Sequence, residues 1–210
     1  MKRLVIFDFD GVLVQTEYIK IMQFVQIMQT CGVNCDRKEL ISLVGMTHDD
    51  FILHLDHLYS SNACYQHHRH EIISQKANFD YENIMTPYTI ELLKELKNRG
   101  IKTAIASNSS TTRLNTALTA CQISQYIDAL VSGTEEGKKK PDPYIYKKTM
   151  KEFAISAKET LIVEDSSLGI EAAVQSGAFV AAFDDHNMNI DQSKSHIQIS
   201  NLLDILHYLD

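Results

Sequence analysis

Four carboxylates that follow apolar stretches are the residues of this chain best suited to bind a hard metal ion. Asp8 and Asp10 come directly after an apolar run at residues 4–7. Glu164 and Asp165 follow a second apolar run later in the chain. Carboxylate oxygens are the ligands that Mg²⁺ prefers, and the ion keeps other positions for water and a substrate phosphate. The sequence therefore predicts magnesium binding by Asp8, Asp10 and Asp165. Glu164 is a further candidate ligand.

Two other segments carry groups that bind anionic oxygen. Ser107 and Asn108 offer a hydroxyl, an amide and backbone N–H groups at the predicted start of a helix. Lys140 supplies a cation, and the prolines at positions 141 and 143 restrict its position. These three side chains are suited to hold a phosphate group.

Each segment alone has an ordinary structural explanation. Ser107 and Asn108 fit a strand end followed by a helix cap. Lys140 fits a solvated lysine in a charged loop, and the pair Glu164-Asp165 fits a turn. Their occurrence together, each after a separate predicted strand, favours one shared site for phosphate and magnesium.

The elements that position these residues alternate between strand and helix. Strands are predicted at residues 4–7, 102–106, 129–131, 160–163 and 179–183. Helices are predicted over residues 88–99, 112–120, 143–153, 169–174 and 199–209. Each parallel crossover needs a covering helix, so this alternation predicts a parallel sheet with helices on both faces. The expected fold class is α/β, with a Rossmann-like three-layer core whose carboxyl edge carries the candidate residues.

Residues 16–81 interrupt this alternation with helical patterns only. Predicted helices cover residues 18–30, 36–44, 47–58 and 65–77, with Asp36 as the N-cap of the second. A helical block after the first strand is most simply an inserted domain. The predicted division is a catalytic core of residues 1–15 and 82–210 and a small helical cap of residues 16–81.

Composition and charge narrow the class of protein. The chain has 210 residues and a net charge of -7, which argues against a nucleic-acid partner. It has no apolar run of membrane-spanning length, and the start of the chain lacks the pattern of a signal peptide. The four cysteines have no paired spacing. We expect a cytoplasmic protein with reduced thiols, present as a monomer or a weak homodimer.

The candidate residues also form a recognisable set of motifs. These are Asp8-Phe9-Asp10-Gly11-Val12-Leu13, Ser107-Asn108, Lys140-Pro141 and Val163-Glu164-Asp165-Ser166, in this order. They resemble the four motifs of the haloacid dehalogenase (HAD) superfamily, and the resemblance covers the whole chain, including a C1-type helical cap. Within the superfamily the chain is most similar to the β-phosphoglucomutase-like and phosphatase branch. Aspartate at position 10 implies phosphoryl transfer rather than dehalogenation.

The resemblance implies roles for the two acids of the first motif. Asp8 would attack phosphorus and become an aspartyl phosphate. Asp10 would protonate the departing oxygen and then deprotonate the attacking water. Mg²⁺, held by Asp8, Asp165 and the backbone carbonyl of Asp10, would neutralise charge on the phosphate together with Lys140.

The remaining motif residues complete the implied site. Ser107 and Asn108 would hold the oxygens of the transferring phosphoryl group. Two roles stay open for Glu164, which would be either a second metal ligand or the group that orients Lys140.

The cap is expected to select the substrate. Lys20 stands where the mutases tend to have a histidine, and His48 stands where they have an arginine that grips the non-transferring phosphate. Histidine is a weaker, pH-dependent substitute for an arginine fork, which favours a phosphatase over a mutase. The alternative is that Lys20 and His48 are only polar surface residues of the cap.

The run His67-His68-Arg69-His70 is the remaining cluster of candidate metal ligands. Adjacent histidines on a helix point to different faces, so we expect a solvated cap helix here rather than a metal site.

Three hypotheses for the function follow, and the third is from a different class. The leading hypothesis is a Mg²⁺-dependent phosphatase of a small phosphorylated metabolite, such as a sugar phosphate. The second is a β-phosphoglucomutase-like phosphosugar mutase. The third, a non-catalytic binding protein that keeps the fold, is disfavoured by the intact set of Asp8, Asp10, Lys140 and Asp165.

Overall fold

A parallel sheet forms the centre of the computed structural model, which describes residues 1–44, 46, 48–74, 79–184, 188 and 190–210. Its strands are β1 (Leu4–Phe7), β2 (Lys102–Ser107), β3 (Ala129–Ser132), β4 (Thr160–Glu164), β5 (Phe179–Phe183) and β6 (Ile197–Ile199). Their order across the sheet is β3-β2-β1-β4-β5-β6, and every neighbouring pair is parallel. The predicted α/β fold class is confirmed.

Helices connect these strands and fill the segment after β1. The α-helices of the described ranges are α1 (Thr16–Thr30), α2 (Arg37–Ile41), α3 (His48–Leu58), α4 (Ala63–Ser74), α5 (Thr89–Asn98), α6 (Thr111–Ala120), α7 (Gly133–Glu136), α8 (Tyr144–Phe153) and α9 (Ser167–Gln175). Short 3-10 helices cover Ser124–Tyr126, Ala157–Glu159 and Leu202–Tyr208. None of the helices in the described ranges combines the length and the apolar character that a membrane span requires.

Strand β1 lies between β2 and β4 and is buried along its whole length. Val5 and Phe7 belong to one apolar cluster with α5 and α6, whereas Leu4 and Ile6 belong to a second cluster with α8 and α9. Successive side chains of a strand point to opposite faces, so helices cover the sheet on both sides. This arrangement is the expected three-layer core, and it explains why β1 has an uninterrupted apolar sequence.

The predicted last helix at residues 199–209 is shorter than expected and is a 3-10 helix. Residues 197–199 pair with β5 as the edge strand β6, and Leu202–Tyr208 forms a 3-10 helix. A strand of three residues contains too few side chains to show a period of two. In the segment that follows, buried Leu202, Ile205 and Leu209 are spaced by three and four residues, which also fits an α-helix.

Helices α1 to α4 enclose a third apolar cluster. Its buried members include Phe24 and Met28 from α1, Leu55 from α3 and Ile72 from α4. The Asp36 side chain accepts a hydrogen bond from the backbone N–H of Lys38 and caps α2, as predicted. The predicted helix ends at Thr47 and Ala77 lie outside the described residues. The boundaries of a cap domain at residues 16–81 stay a prediction.

Two leucines of α3 provide a test of the cap as a separate folding unit. Leu55 is fully buried in the third cluster, whereas Leu53 is 65% exposed on the same helix. We expect Leu55→Ala to lower the free energy of unfolding of the helical segment by about 2–5 kcal/mol. Leu53→Ala is expected to change it by less than about 0.5 kcal/mol.

Native-state hydrogen exchange resolves the two parts of the chain. If residues 16–81 form a separate cap, amides of α1 to α4 lose protection in Leu55→Ala while amides of β1 and β4 keep theirs. Equal loss of protection in the sheet would contradict the proposed division into two domains.

Candidate active site

The predicted site residues meet at the carboxyl edge of the sheet. In the register of the three central strands, Phe7 is paired with Ile105 of β2 and with Val163 of β4. Asp8 therefore follows β1 at the level where β2 and β4 end. These side chains line one cavity of about 530 Å³: Asp8, Asp10, Ser107, Asn108, Lys140 and Asp165.

Lys140 lies between two acids in the interior. Its Nζ donates to Asp8 Oδ1 at 2.6 Å and to Glu164 Oε1 at 2.5 Å, and its side chain is 4% exposed. Burial lowers the pKa of Lys140, but the two carboxylates more than offset this effect and raise it. Lys140 is thus a buried, charged group rather than a solvated lysine of a loop.

Glu164 holds Lys140 and is itself fixed by several donors. Its Oε1 also accepts from the hydroxyl of buried Tyr146 at 2.7 Å. Its Oε2 accepts from the backbone N–H of Asp165 at 2.9 Å and of Ser166 at 3.3 Å. Of the two roles left open by the sequence, the orienting one requires this contact with Lys140, and it stays a prediction. A role as metal ligand stays a prediction.

Asp8 occupies an environment that opposes its ionisation. Burial raises the pKa of the Asp8 carboxyl to about 7, and the charges of Glu164 and Asp10 add to this effect against that of Lys140. An acid with this pKa is partly protonated at neutral pH. A cation placed beside Asp8 would favour its charged form.

Asp165 offers an unused acceptor next to Asp8. Its Oδ2 is buried and has no hydrogen-bond partner in the described structure. Burial, Glu164 and Asp8 together raise the pKa of Asp165 well above its usual range. Carboxylate oxygens of Asp8, Glu164 and Asp165 lie within 4.8 Å of one another. This donor set fits a Mg²⁺ ion, which would relieve the repulsion between the acids.

A glycine in the first motif leaves room for this acceptor. A Cβ atom on Gly11 would lie 1.9 Å from Asp165 Oδ2, and the φ angle of Gly11 is +84°, which side chains rarely tolerate. The loop after β1 can therefore pass close to Asp165 only with glycine at this position.

Asn108 provides an unused donor in the same cavity. Its Oδ1 accepts from the backbone N–H of Lys140 at 2.9 Å, which fixes the amide, while its buried Nδ2 has no described partner. Ser107 is buried at the end of β2, and its Oγ accepts from the backbone N–H of Ser109 at 3.1 Å. The cap of α6 is Ser110, so the N-cap function does not explain Ser107 or Asn108.

Asp10 is bound by an arginine that the sequence reasoning missed. Arg113 Nη1 donates to Asp10 Oδ2 and Nη2 donates to Oδ1, both at 2.6 Å. Thr16 and Ser109 donate to the same carboxylate at 2.5 and 2.7 Å. A basic residue in the first turn of α6 opposes the helix dipole, and this was the available signal in the sequence.

These contacts keep Asp10 ionised. Burial alone would raise the pKa of the Asp10 carboxyl, but the charge and hydrogen bonds of Arg113, with Lys20 and Thr16, hold it well below its usual range. Asp8 and Asp10, two residues apart, therefore have pKa values shifted in opposite directions.

Comparison with known proteins identifies the family. A family model described as haloacid dehalogenase-like hydrolase matches residues 5–183, which is most of the chain. The chain belongs to the haloacid dehalogenase-like hydrolases.

Relatives of this hydrolase include enzymes named for phosphorylated sugars. It is 24% identical over 174 residues to the phosphorylated carbohydrates phosphatase of Thermotoga maritima, covering 82% of this chain and 81% of that one. It is 26% identical over 183 residues to β-phosphoglucomutase of Bacillus subtilis, covering 83% and 80%. Protein SUPPRESSOR OF QUENCHING 1, chloroplastic, of Arabidopsis thaliana is 27% identical over 175 residues, which make up 80% of this chain and 16% of that longer protein.

A solved structure shares the fold of this hydrolase. The HAD family hydrolase of Deinococcus radiodurans R1, with bound phosphate and sodium, superposes with a TM-score of 0.79 at 20% identity. The match covers 99% of this chain and 95% of that one.

Of the two residues of the predicted cap that are expected to contact substrate, the structure describes only one side chain. Lys20 lines the cavity, and its Nζ donates to Glu17 at 2.7 Å. Glu17 also lines the cavity and was not predicted. His48 begins α3, but its side chain lies outside the described part of the structure.

Tyr146 and Tyr144 form a matched pair for testing the buried cluster. Tyr146→Phe keeps the ring beside Lys140 but removes the hydrogen bond to Glu164, and we expect the free energy of unfolding to fall by about 1.5–3 kcal/mol. Tyr144 is only partly buried and donates to Glu136 outside the cluster, so Tyr144→Phe is expected to be nearly neutral. Urea denaturation measures both, and equal effects would contradict a special role of the Glu164 contact.

Proposed function

We propose that this hydrolase is a Mg²⁺-dependent phosphatase of a small phosphorylated metabolite, acting through an aspartyl phosphate. The observation that supports it most directly is the pairing of two unused polar atoms in one cavity. Asp165 Oδ2 is an acceptor suited to a metal ion, and Asn108 Nδ2 is a donor suited to a phosphoryl oxygen. Lys140, which lines the same cavity, donates a hydrogen bond to Asp8 and holds its carboxylate in place.

Asp8 is the proposed nucleophile. One of its carboxylate oxygens forms a bond to phosphorus as the bond between phosphorus and the leaving oxygen breaks, which gives the aspartyl phosphate. Lys140 orients Asp8 and offsets negative charge in the transition state. Charge neutralisation at the phosphoryl group is also the chemistry supplied by a Mg²⁺ ion held by Asp8, Asp165 and the backbone carbonyl of Asp10.

Asp10 is the proposed acid and base. Its ionised form takes a proton from the attacking water as the water oxygen bonds to phosphorus and the bond between phosphorus and the Asp8 oxygen breaks. To protonate the leaving oxygen in the first step, Asp10 must already carry a proton, which comes from solvent in the first turnover and from the attacking water in each later one. One of its oxygens must also leave Arg113. We propose that substrate binding separates this oxygen of Asp10 from Arg113, since Arg113 also lines the cavity.

Small phosphorylated sugars are the proposed substrate class. A cavity of about 530 Å³ suits a small metabolite. The name of the Thermotoga maritima relative refers to phosphorylated carbohydrates. Lys20 and Arg113 provide positive charge near the position of the leaving group, whereas Phe24 contributes an apolar wall. The cytoplasmic location and the monomer or weak homodimer stay predictions.

Activity on a panel of sugar phosphates and nucleotides tests this function. We expect phosphate release that requires Mg²⁺ and is abolished by a chelator. Asp8→Asn is expected to reduce kcat on the order of 10³-fold or more, because the amide cannot attack phosphorus. Asp36→Asn, which exchanges one good N-cap residue for another, is the control and should keep full activity. Equal turnover by the wild type and Asp8→Asn would refute the proposal.

The mutase is the second candidate, favoured by the likeness to β-phosphoglucomutase. It predicts an isomerised hexose phosphate that forms only with a sugar bisphosphate as activator. Chromatography of the products separates the two activities, because a phosphatase yields free sugar and phosphate from the same hexose phosphate.

The raised pKa of Asp8 gives a pH dependence that Mg²⁺ should shift. Asp8, with a pKa of about 7 before the ion binds, is protonated below that pH and can neither attack phosphorus nor bind metal. We expect the acid limb of kcat/KM near pH 7 at low Mg²⁺. At Mg²⁺ concentrations above the Kd of the ion, each tenfold rise in concentration should move this acid limb down by about one pH unit. An acid limb that does not move, at constant ionic strength, would contradict this assignment.

A further inference from the structure

A second group of candidate metal ligands lies in the predicted cap, away from the cavity. It consists of Cys31, at the end of α1, with His68 and Glu71 on α4. We infer that Cys31, His68 and Glu71 form a zinc site that links the C-terminal end of α1 to α4. The site is independent of the phosphatase activity proposed above.

The ligand atoms already converge. One ligand atom of each residue lies within 4.8 Å of the other two, and His68 Nδ1 is 3.2 Å from Glu71 Oε2. Zinc bonds of 2.0–2.3 Å in a tetrahedron place neighbouring ligand atoms roughly 3.3–3.8 Å apart. His68 and Glu71 are three residues apart and therefore share a face of α4. Only a small contraction would bring the three atoms to a zinc ion.

The types of ligand favour zinc over magnesium. A thiolate sulfur and an imidazole nitrogen are soft or borderline donors, whereas Mg²⁺ prefers oxygen alone. The carboxylate of Glu71 is also a common zinc ligand. The cap group and the carboxylates at Asp8 and Asp165 therefore suit different metals.

The end of α1 is electrostatically suited to a cation. Cys31 is the C-cap of this 15-residue helix, and the last turn contains no basic residue. The carbonyl groups at a helix C-terminus give that end partial negative charge, which favours a nearby cation. A zinc ion at Cys31 would supply the positive charge that no side chain of this turn provides.

A second cysteine lies near the end of α1, although it is outside the group of three whose ligand atoms lie within 4.8 Å of one another. Cys64 stands four residues before His68 and so lies on the same face of α4. Its Sγ would be 3.7 Å from a Cβ on Gly32, the residue after Cys31. We assign Cys64 as the fourth ligand, and its side chain must turn towards the other three to close the tetrahedron. Structural zinc sites are closed in this way by four protein ligands.

The proposed zinc site departs from the expectation of a solvated helix because it uses a ligand from another helix. The histidines of this run are neighbours of one another in sequence, and neighbours on a helix point apart. The structure instead pairs His68 with Glu71 on α4 and with a cysteine 37 positions earlier in the chain.

Zinc binding to the whole chain tests the inference directly. Purified protein is stripped with a chelator, loaded with Zn²⁺ in excess Mg²⁺, separated from free metal and measured by elemental mass spectrometry. We expect one zinc per chain, a rise in Tm on loading, and a thiolate charge-transfer band when Co²⁺ replaces zinc.

Variants then locate the ion. Cys31→Ser, His68→Gln and Cys64→Ser should each weaken zinc binding by at least tenfold. The matched controls His67→Gln and Cys35→Ser should keep it, because neither residue is one of the four assigned ligands. Asp165→Asn should also keep it, which separates this site from the active site.

Two outcomes would overturn the inference. One is zinc retention in Cys31→Ser and His68→Gln equal to that of the wild type, and the other is zinc loss in Asp165→Asn alone. Unchanged binding by Cys64→Ser would overturn the assignment of the fourth ligand. Cys31 is buried and its replacement can disturb folding, so Glu71→Gln, at an exposed position, tests the same site with circular dichroism as the folding control.

Discussion

The arrangement of the active site depends on one buried cation held between two acids. Lys140 is almost completely enclosed, and its charge is compensated by Asp8 and Glu164. A buried charge without a partner is strongly destabilising, so each member of this group requires the others. The attraction brings together three chain segments that are separated by 132 and 24 residues. It also explains why the nucleophile candidate and its orienting cation have a defined geometry before substrate binds.

The sheet and its glycines make this contact possible. Parallel pairing of β1 with β4 places Glu164 beside the level of Asp8. On the other side of Glu164, a Cβ on Gly169 would lie 1.9 Å from Oε1, so the first turn of α9 can approach the carboxylate only without a side chain. Gly11 likewise leaves room for the carboxylate of Asp165. The charged contact between Lys140 and the two acids thus requires both the strand pairing and the glycines beside the carboxylates.

Much of the fold and of the candidate site could be predicted from local sequence. The rest depends on contacts between residues that are far apart in the chain. The buried parallel strands have continuous apolar sequences because helices cover both faces, and the acids follow directly after them. Tyr146 escaped prediction because α8 places it against Glu164, which no local pattern indicates. Arg113 was missed for the same reason, since its ion pair with Asp10 spans 103 residues. The edge strand β6 was too short to show a period.

The two aspartates of the first motif show how one short segment can serve two chemical roles. Asp8 faces Lys140 within a group of acids, whereas Asp10 faces Arg113 and the hydroxyl of Thr16. Their environments move the two pKa values apart, which is how paired carboxylates acquire different functions in one site. Thr16 is the first residue of α1, so the partner set of Asp10 includes the start of the predicted cap. Movement of that helix relative to the sheet would change the hydrogen bonds of Asp10 while leaving those of Asp8 intact. The proposed acid and base is therefore the group through which cap position can act on the chemistry.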